Sequence, residues 1–214
     1  MTKHSAAVVA VAALSFAGVA VPAGAQSFQN ASAEPILPGD LRLTGSPVQM
    51  FGRDGAPDRT GGAFRLGYGF SDGFDVEGKT AFFDGVSLVG ADGHFRLFHD
   101  GDRVLSASVG GHRALMTSAP DSTALDLGLG LRDRLNRRVQ VYGGAVFSWE
   151  TINSPGGPDF TRFHLVPGVR VGITERLDLL VEGGVGLNHS SPHYVTAGLA
   201  VNMPVSDSAR SREH

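Results

Sequence analysis

Residues Thr123–Trp149 read TALDLGLGLRDRLNRRVQVYGGAVFSW. Leu125, Leu127, Leu129 and Leu131 share one parity, and Val139, Val141, Ala145, Phe147 and Trp149 continue it after a polar turn. The other parity carries Asp126, Gly128, Gly130, Arg138, Gln140 and Gly144. Successive side chains of a strand point to opposite faces, so this stretch predicts a hairpin with one apolar and one polar face. Strands of about ten residues in this pattern suit a small closed β-barrel in a bacterial outer membrane.

The same period extends in both directions. It predicts strands over Leu41–Met50, Ala63–Phe70, Phe74–Phe83, Leu88–Phe98, Arg103–His112, Thr123–Arg132, Arg137–Trp149, Thr161–Ile173, Leu177–Asn188 and His193–Met203. The fold class is all-β: one up-and-down antiparallel transmembrane barrel of about ten strands, with eight as the alternative because Pro47 interrupts the first. Tight polar turns fall at Ser71–Gly73, Asp100–Asp102, Asp133–Asn136 and Thr174–Arg176. Longer links are expected at Phe51–Gly62, Asp84–Ser87, Arg113–Ser122, Glu150–Phe160 and His189–Pro192. Short turns on the periplasmic side and longer loops outside are the barrel arrangement. Pro167 shares its parity with Leu165 and Val169, so a bulge or a place near the outer rim is expected there.

Alternation alone also fits a lipocalin or a β-sandwich with its apolar face inward. Three features favour an apolar exterior. Glycines such as Gly67, Gly69, Gly168 and Gly184 crowd the polar parity, where a narrow lumen needs room for large neighbours. Several strands reach ten residues, long enough for a tilted bilayer crossing. Aromatics of the apolar face lie toward strand ends, with Phe70 and Phe74 beside the first tight turn and Phe82, Phe147, Trp149 and Phe163 toward the longer loops. These would form two interfacial girdles. The polar face balances its charges, and Arg65, Lys79, Arg138 and Arg170 are expected to pair with Glu77, Asp126, Asp178 and Glu182 across a plugged lumen. A selective pore more often shows one dominant sign at its constriction.

Residues 1–25 read as a secretory signal peptide: Lys3, an apolar run from Ala6 to Val21, and Ala23-Gly24-Ala25 before Gln26. A membrane anchor is the alternative, but the run is short and rich in Ala. Residues 26–40 form a Ser, Ala, Asn and Pro tract read as a flexible periplasmic lead-in. The barrel is assigned to 41–203 and a polar tail to 204–214. With no Cys there is neither a disulfide framework nor a lipoprotein anchor, and no thiolate metal site. The net charge of -3 with no basic cluster argues against nucleic acid as a partner. No apolar stretch after the leader is long enough for a membrane helix.

Thr196-Ala-Gly198-Leu-Ala-Val201-Asn-Met203 resembles the C-terminal signal read by the outer-membrane assembly machinery, a polar residue, a Gly two positions on, then two alternating hydrophobics. By that motif and its strand train the chain is similar to the broad class of small outer-membrane β-barrel proteins, over about Leu41–Met203. The resemblance implies outer-membrane lipid and the assembly machinery as partners. It departs from the usual pattern in ending on Met203 rather than an aromatic, and in the tail that follows.

Two sets of residues resemble catalytic patterns in part. His189-Ser190-Ser191 resembles the His-x-Ser of lipid A deacylases, yet Pro192 stands where that pattern has Asn, and no Glu follows before Glu213. Asp84, Asp92, His94, His112, His189 and His193 resemble the rim set of outer-membrane proteases without any binding spacing motif. No cofactor or metal motif is present. The expected role is therefore structural or surface-interacting, with a narrow solute pore or a soluble exported binding barrel as alternatives.

Overall fold

The computed structural model describes residues 35–53 and 55–205; the leader, residues 26–34 and residues 206–214 lie outside the described residues. Ten strands follow in order: β1 (Asp40–Phe51), β2 (Arg59–Ser71), β3 (Phe74–Phe83), β4 (Val86–Asp100), β5 (Arg103–Met116), β6 (Ser122–Arg134), β7 (Val139–Ile152), β8 (Asp159–Gly172), β9 (Leu177–Gly186) and β10 (His193–Pro204). Each pairs antiparallel with its chain neighbours, and β1 pairs with β10 to close the barrel. The eight-strand alternative is thereby removed. Both chain ends of the barrel lie at one end, called terminal here, and the opposite end is distal.

The terminal end carries the tight turns, as expected. At the distal end the expected longer link Asp84–Ser87 is instead the two-residue turn Asp84-Gly85, because pairing continues to Phe83↔Val86 and Gly85 takes a left-handed φ of 72°. Two other distal links shorten for the same reason: β2 begins at Arg59 opposite Met50, and β5 runs on to Met116 opposite Val86. Some strand ends fall short of their expected positions. β9 stops at Gly186, leaving Asn188 in a loop. β7 starts at Val139 rather than Arg137, because Asn136 Oδ1 accepts the backbone N–H groups of Arg138 (2.9 Å) and Val139 (3.0 Å) and holds a turn. Pro204, assigned to the tail, closes β10 opposite Asp40.

The two prolines are accommodated in one way. Pro167 pairs with Gly143 of β7, while the β8–β9 ladder skips residues 166–167 and resumes in the same register. Neither the expected bulge nor a rim position occurs. Pro47 pairs with Gly62 of β2, and on the β10 side the ladder skips residues 46–47, where Thr196 Oγ1 donates to the Pro47 carbonyl at 2.9 Å. Register shifts do occur elsewhere, between Gly69 and Ser71 and between Arg96 and Phe98, both beside terminal-end turns.

Burial alternates along every strand, with the polar parity inside. Leu125, Leu127, Leu129 and Leu131 are exposed, while Asp126 and Arg132 are 3% and 2% exposed. At the distal end one side of the interior is apolar, built on Val48, Met50, Val86, Leu88 and Tyr194. Inward glycines seat the large side chains: a Cβ on Gly168 would overlap the Tyr142 ring, and one on Gly184 would overlap the Tyr194 ring. Gly183, its neighbour on the outer face, has only an ordinary contact at 3.7 Å. Gly184→Val should therefore lower unfolding stability by about 1–3 kcal/mol through overpacking, with Gly183→Val unaffected by that clash. The check is denaturant titration of the refolded barrels, in which equal midpoints for the two variants would contradict the packing.

Candidate functional site

The lumen holds the protein's concentration of chemistry. Inward parity on β2 to β6 brings six charged or titratable side chains into one chain of contacts. Arg65 Nε lies 2.7 Å from Glu77 Oε2 and its Nη2 2.8 Å from Asp92 Oδ2. Lys79 Nζ bridges Asp92 Oδ1 at 2.7 Å and Asp126 Oδ2 at 2.8 Å. His112 Nδ1 lies 2.7 Å from the same Asp126 oxygen, and Ser148 Oγ donates to Asp126 Oδ1 at 2.6 Å. Lys79 belongs to β3 and Asp126 to β6, so this link bypasses two intervening strands and crosses the barrel interior.

A second polar group lies on β7 to β10 and β1. Arg170 Nη2 meets Asp178 Oδ2 at 2.7 Å; Asn202 Nδ2 donates to that oxygen at 2.9 Å, and Asn202 Oδ1 accepts from Arg42 Nε at 3.0 Å. Glu182, 2% exposed, accepts from Tyr194 Oη at 2.8 Å and Tyr142 Oη at 3.3 Å. Toward the distal end Arg162 Nη2 lies 3.1 Å from Glu150 Oε2, and Ser122 Oγ donates to Glu150. At the terminal end Asp75 Oδ1 lies 2.6 Å from His94 Nδ1.

Of the residues expected in the charge network, Arg65, Glu77, Lys79, Asp126, Arg170, Asp178 and Glu182 are inside and in contact with polar partners. Arg138 is not: it sits exposed in the turn before β7, set there by the Asn136 cap. Sequence reasoning missed Arg42, Arg132, Glu150 and Arg162 as interior residues, although each follows the inward parity of its strand. Asp92, His94 and His112, which a protease-like rim set would need at the loops, are buried strand residues at 3%, 9% and 4% exposure, inside the strands expected to hold them.

The rim pattern therefore does not assemble. Asp84 and His189 stay in distal turns, remote in chain register from the buried Asp92, His94 and His112. The His189-Ser190-Ser191 segment is a loop brace, since Ser191 Oγ accepts from Phe163 N at 2.9 Å and donates to Asn188. Arg53 Nη1 ties the 52–58 loop to it through the carbonyls of Gly186 (3.0 Å) and Asn188 (3.1 Å). In the β5–β6 loop Asp121 accepts from Met116 N at 3.2 Å and Arg113 Nη2 at 2.8 Å. Those bonds, the backbone one first, hold its carboxyl below the ordinary carboxylate range.

The outer face completes the picture. Phe70, Phe82 and Trp149 are 60%, 51% and 50% exposed, Phe147 is exposed to a smaller degree, and Phe74 and Phe163 are half-buried. Phe74 stacks between Phe70 (centroids 5.8 Å) and Phe95 (4.9 Å) at the terminal end. Phe147 and Phe163 face each other across β7 and β8 in the distal half. In β10, Thr196 and Gly198 point inward and Val201 and Met203 outward, along the seam with β1.

The fold is that of a closed ten-stranded up-and-down barrel. Similar solved structures include a de novo designed transmembrane β-barrel (14% identity, TM-score 0.41, covering 78% of this chain and 97% of that one). The KdgM porin matches at 9% identity and TM-score 0.42 over 75% of this chain and 98% of that one. The N-terminal β-barrel domain of Pseudomonas aeruginosa OprF matches at 15% identity and TM-score 0.35 over 78% and 98%. No protein-family model and no curated protein sequence matches the chain.

Lys79 bridges two buried carboxylates on different strands. Lys79→Met should leave Asp92 and Asp126 buried with reduced compensation and lower stability by about 3–5 kcal/mol. Arg103→Met, which removes an exposed pair with Asp133, should change it by at most about 1 kcal/mol. Parallel denaturant titrations decide this, and similar losses in both variants would contradict the interior assignment.

Proposed function

We propose that the chain is an integral barrel of the bacterial outer membrane, with a lumen sealed by paired charges and a non-enzymatic structural or surface-presenting role. The carrying observation is the inverted surface. Arginine, lysine, aspartate and glutamate fill the inside, while rows of Leu, Val and Phe face out from all ten strands. A protein in water would bury the second set and expose the first. Strands of 10 to 15 residues, at about 3.3 Å per residue, are long enough for an apolar band about 25 Å tall even when tilted. Phe70 and Phe74 at one end, with Phe82, Phe147, Trp149 and Phe163 toward the other, fit interfacial girdles.

In this reading the terminal end faces the periplasm and the 52–58, 117–121, 153–158 and 187–192 loops face outward, as the surface available to a partner. The sealed lumen follows from charge pairing: opening a solute path would separate Lys79 or Arg65 from carboxylates in a confined space. Outer-membrane lipid is the solvent of the belt, and the assembly machinery would read Thr196, Gly198, Val201 and Met203 on β10.

Leu129→Arg should impair membrane insertion, at a cost of about 2–4 kcal/mol near the bilayer midplane, whereas Gln140→Arg inside the lumen should be tolerated. Resistance to carbonate extraction and heat-dependent gel migration are the measurements. Wild-type protein that leaves membranes in carbonate would overturn the membrane reading, and steady conductance in planar bilayers would overturn the sealed lumen.

For the assembly role, deletion of Ser206–His214 should leave insertion intact. Joint replacement of Gly198, Val201 and Met203 by Asp should abolish it in cells. If the tail deletion alone blocks insertion, β10 does not carry the signal.

A further inference from the structure

The segment before β1 does not simply approach the barrel; it enters it. Ile36 is 1% exposed, and its backbone N–H donates to Asp75 Oδ2 at 2.6 Å. Pro38 makes a parallel bridge with Gly69, Gly39 N donates to the Gly69 carbonyl at 2.9 Å, and Asp40 N returns to the Leu37 carbonyl at 3.0 Å. Val205, beyond β10, donates to the Gly39 carbonyl at 3.0 Å.

The barrel wall is cut to receive this segment. A Cβ on Gly67 would overlap the Ile36 side chain, and one on Gly69 would overlap the carbonyls of Ile36 and Leu37. Both glycines are inward positions of β2 that any small or large residue would otherwise fill. The Asp75 carboxylate next to them uses one oxygen for His94 and the other for the segment's backbone. The notch is thus complementary to an extended backbone carrying one apolar side chain, and the chain supplies that ligand itself.

We propose that Pro35–Gly39 is a releasable strap that closes the terminal mouth of the lumen, with Gly67, Gly69 and Asp75 as its docking site. Its attachment differs in kind from the strands. A strand is held by two ladders, whereas the strap rests on two buried residues, Pro35 and Ile36, and a few backbone bonds. Directly inside it, Glu77 and Arg65 begin the charge chain that runs to Asp126. Release of the strap admits water to that chain from the terminal end without unpairing any strand. This inference rests on the closed barrel alone and holds whether or not the outer face meets lipid.

The chain has no Cys, so a single reporter gives an unambiguous signal. Thr44, 2% exposed, is an inward residue of β1 opposite Arg65, one inward step deeper than Gly67. Thr44→Cys in the refolded barrel should react slowly with a charged maleimide. Combining it with Ile36→Asp, or with Gly69→Leu, should speed the reaction about ten-fold or more while heat-dependent migration persists. The Ile36→Asp form changes no barrel residue, so it reports on the strap even if Gly69→Leu fails to fold. Labelling rates equal to the reporter alone in Ile36→Asp would overturn the proposal, as would fast labelling with the strap intact.

Discussion

The structure depends on the requirement that no charge inside the barrel be left alone. Lys79 Nζ between Asp92 and Asp126 is the clearest expression of it. An ion of that size moved from water into an apolar interior costs several kcal/mol even after relaxation, and only close partners offset it. The requirement fixes more than the lumen. Once the polar parity must face inward to find partners, the apolar parity must face outward on every strand, and closure of β1 onto β10 removes the last unpaired edges. The glycines under Tyr142 and Tyr194 serve the same end, because without that space the two phenols could not reach Glu182.

How much of this the sequence disclosed varied by element. The Thr123–Trp149 hairpin is legible because its leucines alternate without interruption, and it forms with Leu125 opposite Trp149 and Leu127 opposite Phe147. Strand number and closure followed from repeating that period, and seven of the eight network residues followed from its parity. Arg138 failed because parity was extended through a turn whose geometry is set by a side chain, Asn136, rather than by the ladder. Asp92, His94 and His112 lay within the expected strands Leu88–Phe98 and Arg103–His112, and the inward parity of β4 and β5 is what joins them to the interior rather than to a rim.

The prolines show what a ladder tolerates when its other side is intact. Pro47 and Pro167 each keep full register with one neighbour and leave a gap with the other, so neither strand bends away. A sequence rule that forbids Pro in a paired strand considers one missing donor. It does not consider that the same residue has a second ladder, or that a hydroxyl such as that of Thr196 can satisfy the carbonyl left over. The strap before β1 was hidden for a related reason. Its sequence Pro-Ile-Leu-Pro-Gly is too short and too broken by Pro to signal a regular element, and only the glycine notch on β2 gives Ile36 a place to go.

The way the interior contacts divide along the chain bears on how the barrel comes together. Arg65, Glu77, Lys79, Asp92, His112 and Asp126 contact one another within β2 to β6, and Tyr142, Arg170, Asp178, Glu182 and Tyr194 find polar partners within β7 to β10. Contacts such as Arg42 to Asn202 and Thr196 to Pro47 join residues 160 and 149 positions apart. Hairpins close short loops and form fast, whereas these contacts close nearly the whole chain on itself. Each half can therefore collapse with most of its interior polar groups already partnered, and the slow step left is the joining of the two half-shells along the β1–β10 edge.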